Sequence, residues 1–256
     1  MVRNTESIDW YNNNSTIYKA HVRNPNESIY HAYYEKPAMY EALPDLNNKK
    51  VLSLGCGTGE DSHYLKNRGA SESVGIDASK EMIKIASDSY PECSFELMNM
   101  QNIKFGNESF DFIYSSLAIH YIEYWDNVLS EAFRILKPNE YFLFSCEHPI
   151  YTAMDSLETK KTITKELSYS RDKMTKDFTV VGNYVEHRKL IKAEWPVTTW
   201  HKSIGEISRE IKNSGFIISE IIEPKPKSEM KKVSERTFSH LSKIPSFIIF
   251  KLYKPL

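Results

Sequence analysis

The chain has 256 residues, a formal net charge of −1, a sequence pI of about 6.7 and three cysteines. A chain of that length buries a full hydrophobic core in one large domain, or in one domain with an insertion, and its near-neutral charge exerts no global pull toward nucleic acid or an anionic membrane. Cys56, Cys93 and Cys146 have neither metal-ligand nor disulfide spacing, no apolar run reaches membrane-spanning length, and the opening MVRNTESIDW lacks a signal peptide's apolar centre, so a cytoplasmic protein without a metal is expected.

Residues 1–26 are polar and asparagine-rich, hold Trp10, Tyr11 and Tyr18, and read as weakly structured. Residues 28–43 have helical spacing: Tyr30, Tyr33 and Tyr34 share one face, and Pro37 suits the first turn of a second helix. Such a stripe of rings ordinarily packs on a core; a lid over a ligand is the alternative. Residues 51–54 form a first strand that runs into Gly55-Cys56-Gly57-Thr58-Gly59, followed by a helix that stops at Gly69. A second strand over 73–76 ends at Asp77, and Ser79 caps a helix carrying Met82, Ile83, Ile85 and Ala86. Strands over 94–98 and 110–115, an amphipathic helix over 125–137 broken by Pro138-Asn139, and a strand over 141–146 continue the alternation. Repeated βα units call for a parallel sheet with helices on both faces. Residues 150–200 break this rhythm; they are long and charged, with short strands within 179–192, and read as an inserted cap. A helix over 203–213 follows, opened by a Ser203/Glu206 capping box and ended by Gly215. A strand over 216–222, a basic proline-bearing connection over 224–243 and a last strand over 245–253 complete the chain.

Open parallel sheets bind ligands at the carboxyl ends of their strands, so the residues after each strand are read together. Three glycines at alternate positions let a ligand lie against the main chain. A dinucleotide fingerprint would put its third glycine where Glu60 stands, and a carboxylate there faces a pyrophosphate poorly. Asp77, about twenty residues beyond the first glycine, suits two adjacent ribose hydroxyls. Asn99 can match the donor and acceptor edge of an adenine. After the fourth strand, residues 115–121 have the plain reading of a strand-to-helix turn. Three histidines lie near strand ends, His120, His148 and His201; any one alone is more often structural than catalytic.

The runs VLSLGCGTG, VGIDASKEMI, FELMNMQNIKFGNESFDFIYSSLAIHYI and EAFRILKPNEYFLFSCEHPI together resemble the small-molecule branch of the class I S-adenosylmethionine (SAM)-dependent methyltransferases, and are similar in the core to the ubiquinone- and menaquinone-type enzymes. The likeness covers residues 33–149 well and 197–226 moderately. It implies an α/β fold: a Rossmann-like seven-stranded, mostly parallel sheet with helices on both faces and its last strand antiparallel. The chain then divides into a helical lid (1–46), a SAM-binding core (47–149), an inserted cap (150–200) and the remainder of the core (201–256).

By the same resemblance, Gly55, Cys56, Gly57 and Gly59 pass along the methionine part of SAM and Asp77 holds the ribose. Ala78 and Met82 pack on adenine, Asn99 meets its amino group, Met100 covers the ring, and Ser115 lies beside the sulfonium. His148 is expected to be the base or to orient the acceptor, with His201 in support and His120 and Tyr184 touching the acceptor. Two positions depart from the family's pattern: Ser53 and Asn99 stand where an acid is usual. The implied reaction is methyl transfer to an oxygen or nitrogen of a small molecule, leaving S-adenosylhomocysteine (SAH), with no nucleic-acid or membrane partner and the oligomeric state open. The rivals are an RNA- or protein-directed methyltransferase, a catalytically silent SAM-binding protein and an NAD-dependent oxidoreductase. Against an RNA substrate, Lys225, Lys227, Lys231 and Lys232 are interleaved with Glu223 and Glu229, as on a solvated loop.

Overall fold

A computed structural model describes residues 5–158, 163–172, 174–175, 178–191 and 195–256. Its first element corrects the reading of residues 1–26: α1 (Thr5–Arg23) is a 19-residue helix, kinked at Asn14 (φ −120°, ψ 17°). The helix has no strong apolar stripe of its own, and its order comes from distant partners. Trp10 packs against Trp195 (4.8 Å between ring centroids), Tyr11 against Tyr121, and Asn12 Oδ1 accepts the Ser79 hydroxyl. A π-helical turn (His31–Glu35) then leads into α2 (Lys36–Glu41), with Pro37 in the first turn as expected. The tyrosine face is core: Tyr34 is fully buried with Met230 and Leu241, and Tyr30 and Tyr33 pack on that cluster.

The alternating core follows as β1 (Lys50–Leu54), α3 (Glu60–Asn67), β2 (Glu72–Asp77), α4 (Lys80–Ser89), β3 (Ser94–Leu97), β4 (Phe110–Ser115), α5 (Asp126–Ile135) and β5 (Leu136–Glu147). Ser79 caps α4 by accepting the Met82 N–H. α5 ends two residues earlier than its apolar pattern suggested. Leu136 already pairs with Phe110, and Lys137 reaches Asp111 (2.6 Å), so β5 begins before Pro138. A short α6 (Pro149–Ala153) opens the insertion, which holds three two-stranded antiparallel units: β6 (Asp155–Glu158) with β7 (Ile163–Glu166), β8 (Ser168–Arg171) with β9 (Phe178–Val181), and β10 (Arg188–Ile191) with β11 (Thr198–His201).

The chain returns through α7 (Ile204–Asn213), β12 (Ile217–Ile222), α8 (Met230–Val233), α9 (Glu235–Leu241) and β13 (Phe247–Tyr253). The basic connection expected over 224–243 thus contains two helices. Ser234 caps the second by accepting the Thr237 N–H, and Met230 and Leu241 sink beneath Tyr34. At α7 half of the expected capping box forms: Ser203 Oγ accepts the Glu206 N–H, while the Glu206 carboxylate pairs with His187.

The main sheet has seven strands in the order β12-β13-β5-β4-β1-β2-β3. Its neighbours are parallel except β13, which runs antiparallel to both β5 and β12. Both faces are apolar. Leu52, Ile113, Phe142 and Phe144 pack with α5 and α7 on one side, and Val51, Phe112, Leu143 and Ile249 pack with Met39 and Leu65 on the other. Among the described residues, no helix is long and apolar enough to cross a membrane.

Candidate functional site

The carboxyl ends of β4, β1, β2 and β3 open, in that spatial order, onto a cleft, and α1 roofs it with Ser7, Ile8, Tyr11 and Tyr18. Two of the three loop glycines face it. Gly55 has φ +65°, and a Cβ there would lie 2.5 Å from the Ala118 Cβ. Gly57 has φ +53° and donates its N–H to Asp77 Oδ2 (3.0 Å). The other two expected loop contacts do not line the cleft. Gly59 (φ +93°) precedes α3 and lets Ala86, Tyr90 and Phe95 close over it, and buried Cys56 donates its N–H to the Ile76 carbonyl.

Asp77 sits at the mid-line of the cleft. Its second oxygen accepts the Ser79 N–H (2.8 Å). Burial pushes this carboxyl up, against the opposing pull of the Ser79 and Gly57 N–H groups. Each oxygen accepts one backbone bond and keeps lone-pair capacity for a hydroxyl. Ala78, Met82, Met98 and Met100 line the neighbouring stretch, an apolar slot of the kind a flat base needs. Asn99 also lines it; Oδ1 accepts the Gln101 N–H (2.8 Å) and keeps a second lone pair, so both its oxygen and its N–H groups can face a base. Ser115 is displaced by one residue from its expected place. Its hydroxyl is buried on the Leu54 carbonyl (3.0 Å), and Ser116, Leu117 and Ala118 line the cleft instead. Leu117 holds φ +48°, uncommon for a leucine, with its N–H on Ser145 Oγ (2.9 Å); the turn brings Ala118 against Gly55.

Sequence reasoning missed the aromatic roof. Tyr11 and Tyr121 meet hydroxyl to hydroxyl at 2.6 Å, and Tyr18 packs edge-on to Tyr11. Burial raises all three phenols, Tyr121 to about 12, so they are neutral at physiological pH. The spacing of Tyr11 and Tyr18, seven residues apart on a helix and hence on one face, was the available signal. Beside this end lies an open groove between α1, β10–β11 and the turn after β4, lined among others by Ile122, Tyr124, Lys189, Thr198 and Trp200; Ile8, Tyr121 and Ile122 face both spaces.

The histidines expected to act on the acceptor lie elsewhere. His148 is 3% exposed and caps α6: Nδ1 accepts the Ile150 N–H (3.1 Å), which puts its proton on Nε2, facing Glu223 Oε1 at 3.1 Å. His201 is fully buried, with Nε2 donating to the Tyr184 carbonyl (3.0 Å) and Nδ1 accepting from the Thr152 hydroxyl (2.6 Å). Burial lowers both imidazoles, more than Glu223 raises the first and the Tyr184 carbonyl the second. The Tyr184 hydroxyl accepts the Ile204 N–H (3.3 Å), and His120 is buried against Tyr121, 4.6 Å between ring centroids. None of these four side chains lines the cleft or the groove. His148 and His201 each have both ring nitrogens in hydrogen bonds within the protein.

Fold and cleft together are those of an α/β enzyme with its ligand cleft at the strand ends. A family model described as a methyltransferase domain, type 11, matches residues 52–144. An uncharacterized protein of Haemophilus influenzae is 30% identical over 234 residues, 86% of this chain and 87% of that one. The crystal structure of a SAM-dependent methyltransferase from Mesorhizobium loti superposes with a TM-score of 0.70 at 26% identity, covering 85% of this chain and 96% of that one. That of a Listeria monocytogenes protein does so with a TM-score of 0.67 at 26% identity, covering 87% and 97%. The chain belongs to the SAM-dependent methyltransferases, and its cofactor is SAM. The residues present fit that cofactor: a carboxylate for the ribose diol, methionines for the base, and a glycine main chain with no side chain in the way.

Proposed function

We propose that this methyltransferase transfers the SAM methyl group to a small molecule, at a nitrogen or oxygen that is already nucleophilic near neutral pH. In this reading Asp77 holds the ribose, Ala78, Met82, Met98, Asn99 and Met100 hold the adenine, and the Gly55–Gly57 main chain runs beside the methionine part. Residues 1–46 act as lid and 150–200 as cap.

The observation that carries the proposal for the acceptor is the chemistry of the cleft wall. Its titratable side chains, among the described residues, are Asp77, Tyr11, Tyr18 and Tyr121. Asp77 is committed to the cofactor and the phenols are held neutral by burial, so no lining group is poised to take a proton at neutral pH. An amine, or an oxygen acid already ionised in solution, needs no such base. SAM supplies a methyl group activated on a positively charged sulfur. The protein's part is positioning and exclusion of water, which can be worth about 7–11 kcal/mol. The α1 roof excludes water, and the Tyr11–Tyr121 hydroxyl pair offers the acceptor a neutral hydrogen-bonding platform. The adjoining groove sets Glu6 and Glu123 against Lys189, beside Trp200, and so has no excess positive charge, which suits a small molecule better than a nucleic acid.

Calorimetric titration with SAH of the wild type and of Asp77→Ala tests the cofactor assignment. Binding in the micromolar range, weakened at least tenfold in the variant, is expected; equal affinity in the two proteins would remove Asp77 from the ribose. An acceptor screen at pH 7 that yields turnover only with alcohols of ordinary basicity would overturn the ready-nucleophile reading.

A further inference from the structure

Glu123 and Tyr124, just before α5, face the groove and not the cleft. Tyr124 is 59% exposed, and the charge of Glu123 beside its hydroxyl raises the phenol. The ring is anchored: it stacks on His187 (5.4 Å between centroids, 30° between planes), and His187 Nδ1 meets Glu206 Oε1 at 2.5 Å. The same imidazole packs against Trp200 of β11 (5.5 Å), which also lines the groove. One imidazole thus fixes two aromatic surfaces before any ligand arrives. The charged side chains of the groove, among the described residues, are Glu6, Glu123 and Lys189. Lys189 stands opposite Trp200 across β10–β11 and pairs with Glu6 (3.2 Å), which also accepts the Thr198 hydroxyl (3.1 Å). Lys202 lies 5.8 Å from the centre of the Tyr124 ring, but both oxygens of Glu210 match its charge. Glu123 is left as the unbalanced charge of the groove.

An unbalanced carboxylate with aromatic faces around it favours an organic cation: the acid supplies the charge, and the rings replace water without demanding hydrogen bonds in fixed directions. We propose that the groove seats a positively charged nitrogen of the methyl acceptor, an ammonium or a quaternary ammonium, among Glu123 and the rings of Tyr124 and Trp200. The acceptor class is then a small amine that carries a second, cationic nitrogen. This rests on the reading above that the reacting atom lies at the Tyr11–Tyr121 hydroxyl pair. Tyr121 faces both spaces, and the chain from Tyr121 to Glu123 spans at most about 7 Å, so a molecule of modest length reaches both. The seated charge also serves the reaction in a cleft without a lining base. A positive charge a few bonds from an amine disfavours its protonation, so more of it is free near neutral pH. The amine lone pair then bonds to the methyl carbon as the carbon–sulfur bond breaks; that electron pair stays on the sulfur of SAH, and the proton released from the methylated nitrogen leaves to water through the open groove.

Choline and 3,3-dimethylbutan-1-ol share a shape and differ by one charge, so this pair reads the seat without turnover. Both are titrated by NMR into the free protein and its SAH complex, for the wild type, Glu123→Gln, Trp200→Ala and Lys189→Met, each with a thermal melt. The wild type should prefer choline by about fivefold, Glu123→Gln should bring the two within about twofold, and Trp200→Ala should weaken choline by about threefold. Lys189→Met leaves Glu6 unpaired and should tighten choline by about twofold, a gain that damage to the fold would not produce. If the wild type binds the two probes alike or binds neither, or if Glu123→Gln keeps the preference, the inference is overturned. Should Glu123→Gln melt without cooperativity, Lys189→Met decides: tighter choline supports the seat, and unchanged affinity refutes it. The link to the acceptor is read by exchanging SAH for SAM. The sulfonium charge nearby should weaken choline by about two- to fivefold, and equal affinity in the two complexes would place the seat away from the methyl group and overturn its assignment to the acceptor. The cofactor reading beneath it fails separately, by equal SAH affinity of the wild type and Asp77→Ala, a result that leaves the choline comparison in the free protein standing.

Discussion

Replacing each loop glycine by alanine in turn separates glycine needed for backbone shape from glycine needed for close approach. All three have positive φ, so each alanine adds about 1–2 kcal/mol of left-handed strain. They differ in what the new methyl meets. At Gly57 the nearest atom is Tyr18 Cε1 at 3.7 Å, an ordinary contact, so Gly57→Ala should cost only that strain. At Gly55 the methyl would lie 2.5 Å from the Ala118 Cβ, and at Gly59 within 3.0 Å of Tyr90, Ala86 and Phe95; overpacking then adds about 1–3 kcal/mol. Gly55→Ala and Gly59→Ala should therefore each lose about 2–5 kcal/mol, and for a chain of this length each kcal/mol lowers Tm by roughly 2–4 °C. Ligand binding should rank differently. Gly55 and Gly57 line the cleft and Gly59 does not, so Gly59→Ala, assayed where it is folded, should bind SAH within about threefold of wild type, while Gly57→Ala loses at least tenfold despite its smaller stability loss. Urea unfolding and SAH calorimetry on the same three proteins measure both rankings. If binding loss simply tracked stability loss, the assignment of Gly55 and Gly57 to the cofactor would be refuted.

His148→Ala should lose about 1–2 kcal/mol with the α6 cap it removes, while SAH affinity, measured by calorimetry, stays within twofold. Burial lowers the imidazoles of His148 and His201, and that of His31 to about 3, so the native state holds all three neutral while the unfolded chain protonates them near pH 6.5. Their contribution is complete above pH 6.5 and is lost as pH falls toward the lowered native values. Replacing His148 by glutamine should therefore flatten the urea-derived stability slope between pH 6.5 and 5 by up to about 1.4 kcal/mol per pH unit; an unchanged slope would contradict the assignment. Trp195→Ala removes the ring that meets Trp10, Tyr18 and His21, and should speed amide exchange across α1 by at least tenfold and shorten the SAH residence time. Exchange in α1 unchanged by the substitution would show that the helix is held by other contacts.

The seven strands were legible because a two-sided parallel sheet writes itself as short apolar runs separated by helical spacing. Asp77 and Asn99 were legible because a strand end is a fixed place relative to the glycine turn. What was not legible has one physical character: it depends on partners remote in sequence. α1 lacks an apolar stripe, and its rings are satisfied by Tyr121 and Trp195, more than a hundred residues away. His148 does follow a strand, as read, but the direction of its ring is set by the Ile150 N–H at the start of α6, a backbone donor that residue identity does not announce. Ser115 and Ser116 differ by one position on a strand that is turning, and that step decides which hydroxyl is buried on Leu54 and which faces the cleft.

The absence of an acid at Ser53 shows how a sequence departure can be misread when strands are considered one at a time. Read along β1, it suggests a weakened cofactor site. Read across the fold, the place beneath α2 and α3 holds two carboxyl groups from other elements, those of Glu35 and Asp61, joined through Lys36 and Ser116 to the cleft wall. Electrostatic stabilisation depends on where charge lies, not on which strand supplies it.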